Sequence, residues 1–148
     1  MAQSAHLGVL LDHAQDKVIL IEKDGTITYA NRATKRILGR PPADLVGRNA
    51  FDLIHPDDVD GARAAFEESI TAASYTEVTC ECRFKAADGG WVWLESRMAN
   101  VTDDSLDGYV VSSRDISDRV AAQRERTEAV SRLEELTETT GDVLWMFD

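Results

Sequence analysis

Two cysteines, three histidines and a large excess of carboxylates are the side chains of this 148-residue chain that could do chemistry. Cys80 and Cys82 stand two apart in the run Val78-Thr79-Cys80-Glu81-Cys82-Arg83-Phe84-Lys85. Alternation along a strand puts both thiols on one face, where they are poorly placed for a disulfide with each other. Neither a histidine nor a second cysteine pair accompanies them, so zinc is not expected. They read as reduced core residues. His6 and His13 flank a stretch near the N-terminus, and His55 precedes Pro56 at a helix entrance. No Gly-rich phosphate loop or Ser-His-Asp arrangement stands out, and the carboxylate clusters look like caps, turns and solvated faces. An enzyme is not expected from these residues.

The net charge is −11, which repels phosphate backbones, so direct nucleic-acid binding is not expected. Only four lysines occur, Lys17, Lys23, Lys35 and Lys85, against a majority of arginines, and the acids lean to Asp. That balance fits either a halophile-like, salt-adapted surface or an ordinary acidic domain. No apolar run approaches the roughly 20 residues of a membrane span, and no signal peptide is evident. The expectation is a cytoplasmic fragment without membrane contact.

The elements that must hold these residues follow from hydrophobic periodicity. Leu7, Leu10, Leu11 and Ala14 have helical spacing, which predicts an N-terminal flanking helix over 1–15. Val18-Ile19-Leu20-Ile21 and Thr26-Ile27-Thr28-Tyr29-Ala30 surround Asp24-Gly25, the pattern of an antiparallel hairpin. Asn31 is the expected cap of a short helix that carries Ile37 and closes at Gly39. Asp57-Asp58 open a longer helix with Val59, Ala62, Phe66 and Ile70 as its inner stripe. Three strands follow: Val78–Lys85, Trp91–Val101 and Tyr109–Ile116, with a turn at Asp88-Gly89-Gly90 and Asp107-Gly108 leading into the last. The order gives an α+β fold, an antiparallel sheet covered on one face by helices. Trp91 and Trp93 fall on the face away from Leu94, where the N-terminal helix or a partner subunit should cover them.

Residues 119–140 lack Pro and Gly and continue a charged helical stretch from Ser117. Val120, Val130, Leu133 and Leu136 are too sparse for an unbroken coiled-coil seam. A solvated linker helix and a parallel dimer helix both remain open, and the dimer is favoured. Residues 141–148, with Val143-Leu144-Trp145-Met146-Phe147, read as the first strand of a second, truncated domain.

Four stretches together resemble the PAS/PAC family over residues 16–118. They are Glu22 to Asn31, Ile54-His55-Pro56-Asp57-Asp58, Arg83 to Gly89 with Trp93, and Ser113-Arg114-Asp115-Ile116-Ser117. The resemblance implies the PAS fold, a five-stranded antiparallel sheet cupping a small cavity beneath short helices. It implies a sensor that binds a small molecule there and relays the change through its linker to an output domain, a histidine kinase or a transcriptional regulator, commonly as a homodimer. A ligand-free module for dimerisation and relay is the alternative. Asp115 and Ser117, at the strand-to-helix junction, are the expected relay residues.

The resemblance also bears on cofactors. The photosensory LOV branch carries a reactive Cys after Gly-Arg-Asn; here Gly47-Arg48-Asn49 is followed by Ala50, which rules out a covalent flavin adduct there. Leu94 and Ser113 stand where that branch has flavin-binding amides. Haem is disfavoured because residues 57–73 hold no histidine ligand. A small aromatic or other planar ligand is the favoured occupant. Alternation assigns Cys82 and Phe84, Leu94 and Ser96, and Tyr109, Val111 and Ser113 to the pocket walls. The helical stretches add Ile37, Phe51, Ile54, Val59, Ala62 and Phe66. Ser96, Tyr109 and Ser113 are its polar points, since polar groups in an apolar interior need partners.

Overall fold

A computed structural model describes residues 15–73, 76–103 and 106–140. Strand β1 (Lys17–Ile21) reverses into β2 (Ile27–Ala30). The reversal works because Gly25 takes φ +95° and the Asp24 carboxylate accepts from Thr26 N at 2.9 Å. A Cβ on Gly25 would lie 2.7 Å from the Phe51 ring, so glycine is also required by packing.

The chain then crosses one face of the sheet. Helix α1 (Ala33–Leu38) closes at Gly39 in the left-handed conformation, and α2 (Pro42–Leu45) starts with proline at its first turn. A 3₁₀ turn (Ala50–Leu53) is capped by the Asn49 side chain, which accepts from Phe51 N at 3.0 Å. Helix α3 (Val59–Thr71) follows, burying Ala62, Phe66 and Ser69. The long strands β3 (Val78–Lys85), β4 (Trp91–Asp103) and β5 (Leu106–Asp115) complete the sheet in the order β2-β1-β5-β4-β3, every pair antiparallel. The core, with Ile19, Ile21, Leu38, Leu45, Phe51, Phe66, Leu94, Met98 and Val111, lies between sheet and helices.

Two local expectations need correction. Asn31 does not cap α1: the N-cap position is Arg32, without a side-chain cap bond. Asn31 instead accepts from Val18 N and donates to Asp16 O, each at 2.9 Å, satisfying buried backbone groups at the start of β1. The last strand begins at Leu106 and not at Tyr109, so Asp107-Gly108 lies within it. Those residues pair with Thr102 and Val101, and the ladder runs on to Asp103 and Leu106. Gly108 suits a strand there because a Cβ would come within 3.2 Å of the Ile21 carbonyl oxygen.

The second compact unit, Ile116–Asp148, contains helix α4 (Ser117–Thr140), with Ser117 its first residue. Positions 121–136 are exposed, among them Val130, Leu133 and Leu136. The expected N-terminal helix with His6 and His13, up to residue 14, and the strand-like run 141–148 lie outside the described residues.

Candidate functional site

Strand pairing builds the site from one row across the sheet. Cys80 faces Ser96, Ser96 faces Ser113, and Ser113 faces Lys17. Four polar side chains from β3, β4, β5 and β1 therefore form a stripe across the inner face. The Ser96 and Ser113 hydroxyls are buried and hydrogen-bond each other at 2.8 Å. Removing one should strand the other. Ser113→Ala is expected to cost about 1–2 kcal/mol, and the double change Ser96→Ala with Ser113→Ala less than the sum of the two single changes. Urea unfolding of the three variants measures that coupling.

Lys17 is only 1% exposed, and its ammonium sits 4.5 Å from the centre of the Phe84 ring. Burial pushes its pKa down to about 8, while the nearby Cys82 sulfur opposes the change. No carboxylate among the described residues pairs with it. Cys80 and Cys82 are free thiols on one face of β3. Their mutual interaction, first among the causes, lowers the Cys82 pKa and raises that of Cys80, so Cys82 is the first of the pair to ionise.

Beside this stripe lies a cavity of about 30 Å³. Its walls are Lys17, Ile19 and Ile21 of β1, Ala50, Phe51, Ile54 and Phe66 of the helical layer, and Cys82, Phe84, Ser96, Met98 and Val111 of the other strands. Among the expected pocket residues, Phe51, Ile54, Phe66, Cys82, Phe84, Ser96 and Val111 are brought together there. Ala50, at the place of the LOV thiol, is also a wall.

The other expected lining residues are elsewhere. Leu94 and Ala62 are fully buried in the core away from the cavity, and Ser113 stands behind Ser96. Val59 is half-buried against the core, and Tyr109 packs edge-on to Phe66 at 5.0 Å. Ile37 opens instead on a surface groove with Gln15, Asp16, Arg36, Arg114 and Asp115. Strand alternation (for Leu94, Tyr109 and Ser113) and helical period (for Ile37, Val59 and Ala62) report the face of a residue but not its depth. Lys17 was missed, although the alternation Lys17-Ile19-Ile21 points it inward.

The start of α3 is tied to β3 by charge. Arg83 donates from Nε and Nη2 to the two Asp58 oxygens at 2.8 and 3.0 Å, and its backbone N donates to the same carboxylate at 2.8 Å. These bonds, the side-chain ones first, hold the Asp58 carboxyl below its usual pKa against the opposing effect of burial. Arg83 also stacks on Trp93 at 4.9 Å, and His55 meets Trp91 edge-on at 4.7 Å, leaving Trp91 42% exposed. Asp58→Ala should cost about 2 kcal/mol in denaturant unfolding at pH 7. The contribution is present above the ordinary Asp pKa and is lost as pH falls through the depressed one, so the variant and the parent should converge in acid.

A family model described as PAS fold matches residues 27–111, more than half the chain. The chain belongs to the PAS fold family, a class of sensory and signalling domains. White collar 1 protein of Neurospora crassa is 30% identical over 88 residues, 60% of this chain and 7% of that protein. White collar 2 protein of the same organism is 28% identical over 87 residues, 59% of this chain and 16% of that protein. This chain thus spans a small part of either relative. Among solved structures, the PAS domain of an HTR-like protein from Haloarcula marismortui has a TM-score of 0.64 at 20% identity, over 78% of this chain and 93% of that one. A PAS domain from a two-component sensor histidine kinase has a TM-score of 0.62 at 19% identity, over 77% and 96%. These structural likenesses are of fold. Among the described residues no helix is long and apolar enough to cross a membrane.

Proposed function

We propose that this chain is a non-catalytic sensory relay. A small molecule entering the inner cavity changes the packing of β5, and that strand passes the change to the linker helix and an output domain. The observation that carries the reading is the continuity of β5. Its Ser113 bonds the cavity wall residue Ser96 and faces Lys17, while Asp115 ends the strand two residues before α4 begins at Ser117. Asp115 and Ser117 are the relay residues in this scheme. The solved kinase PAS domain of the same fold supports a histidine kinase as output, with a transcriptional regulator the other choice.

The cavity volume of about 30 Å³ favours a small occupant. Sites for drug-sized ligands measure about 300–1,000 Å³, so a planar aromatic must displace side chains to enter. The same small volume favours the second reading, a ligand-free dimerisation and relay module. Native mass spectrometry together with thermal unfolding across a panel of small metabolites separates the two. A retained molecule or a saturable rise in Tm supports the sensor; no adduct and no shift selects the ligand-free module.

In either reading the chain acts as a cytoplasmic homodimer, with Val130, Leu133 and Leu136 of α4 as the apolar contacts. Leu133→Asp is expected to shift sedimentation from dimer to monomer; an unchanged profile removes the helix from the interface.

A further inference from the structure

One group in the cavity is unexplained by a merely apolar core: the Lys17 amine. It is buried, it lines the cavity, and its close neighbours are the Phe84 ring and the Cys82 sulfur. An ammonium has three donors to satisfy, and a buried one without a counter-charge is strongly disfavoured. A methionine would occupy similar space without that cost. Cys82 is the titratable group facing the amine from β3; its sulfur interacts with Lys17 and also with Cys80 and Ser96.

We infer that Lys17 anchors a small monocarboxylate, with the carboxylate on Nζ and the apolar remainder of the acid against Phe51, Ile54 and Met98. This rests on the reading of the cavity as a ligand site. The cavity of about 30 Å³ has room for two or three heavy atoms, the size of the head group itself. Ser96 adds a second polar group from β4: while Ser113 donates in their shared bond, the Ser96 hydroxyl hydrogen can turn from the Cys82 sulfur to a carboxylate oxygen. The remaining walls are chiefly apolar, which penalises a compact inorganic anion more than an acid that brings its own hydrocarbon. A tail enters by displacing Met98, an unbranched and adaptable side chain. The ligand class is therefore a short aliphatic acid.

The test is calorimetric titration of the 148-residue chain with acetate, propionate, butyrate and isovalerate at constant ionic strength, with chloride and propionamide as controls. Saturable binding of at least one acid is expected, with no binding of the amide and a loss of roughly tenfold or more in Lys17→Met. In the unaltered chain, the propionate methyl should show a nuclear Overhauser effect to the Met98 methyl, a readout independent of whether the variant folds. The inference is overturned if no acid binds, if Lys17→Met binds equally well, or if chloride matches the acids. A neutral molecule that binds and raises Tm while the acids do not would leave the sensor reading standing and remove only the carboxylate.

Discussion

Lys17→Met should raise the thermal unfolding midpoint of the ligand-free chain at pH 7 by on the order of 10 °C. The native state holds this ammonium buried, with its pKa lowered to about 8 from the ordinary 10.5. The unfolded chain solvates it fully. At a pH between the two values the unfolded state binds the proton more readily than the folded one, so stability rises with pH across that window. Below pH 8 the whole penalty applies, roughly 3 kcal/mol, and above about pH 10.5 it is gone. Methionine keeps the unbranched stem and removes the charge, and replacing buried charge by apolar volume is commonly stabilising. The advantage of the variant should therefore be greatest below pH 8 and shrink toward zero near pH 10.5. An advantage that does not change with pH would mean that the charge is not its source. Saturating the parent with a bound acid should narrow the gap by stabilising the parent alone.

Asn31→Ala should destabilise the fold by about 3 kcal/mol, read as a lower urea midpoint with an unchanged slope. Its amide satisfies Val18 N and Asp16 O, and alanine leaves both backbone groups without these partners near a buried strand start. Asn31→Asp keeps an acceptor for Val18 N but loses the donor to Asp16 O, so an intermediate loss is expected. The two anchored residues flank Lys17 on either side. Asn31 thus fixes the strand that aims the amine into the cavity, and its loss should also weaken whatever Lys17 holds.

Much of this architecture was legible from local rules. The Asp24-Gly25 turn, the left-handed stop at Gly39 and the inward pair Ala62 and Phe66 on α3 each follow from backbone preference or period. The alternation of β3 put Cys82 and Phe84 inside. What escaped depended on tertiary context. Asn31 has the composition of a cap, yet the start of β1, before its ladder with β2 begins, claims its side chain. Asp107-Gly108 has the composition of a turn, yet the β4–β5 ladder runs through it. Lys17 is hardest of all, since a lysine at a strand start is normally a solvated end, and only its phase with Ile19 and Ile21 shows otherwise. Depth was illegible throughout: Leu94, Ala62 and Ser113 share a face with the cavity walls and still lie away from the cavity.

Relay through β5 is tested most directly by amide hydrogen exchange on the chain with the cavity altered at a distance from the linker, in Lys17→Met and in Ser96→Ala. The expected result is a change in protection that continues from Ser113 through Asp115 into the first turn of α4, up to Val120. Changes confined to the cavity strands, with residues 115–120 exchanging as in the parent, would contradict the relay.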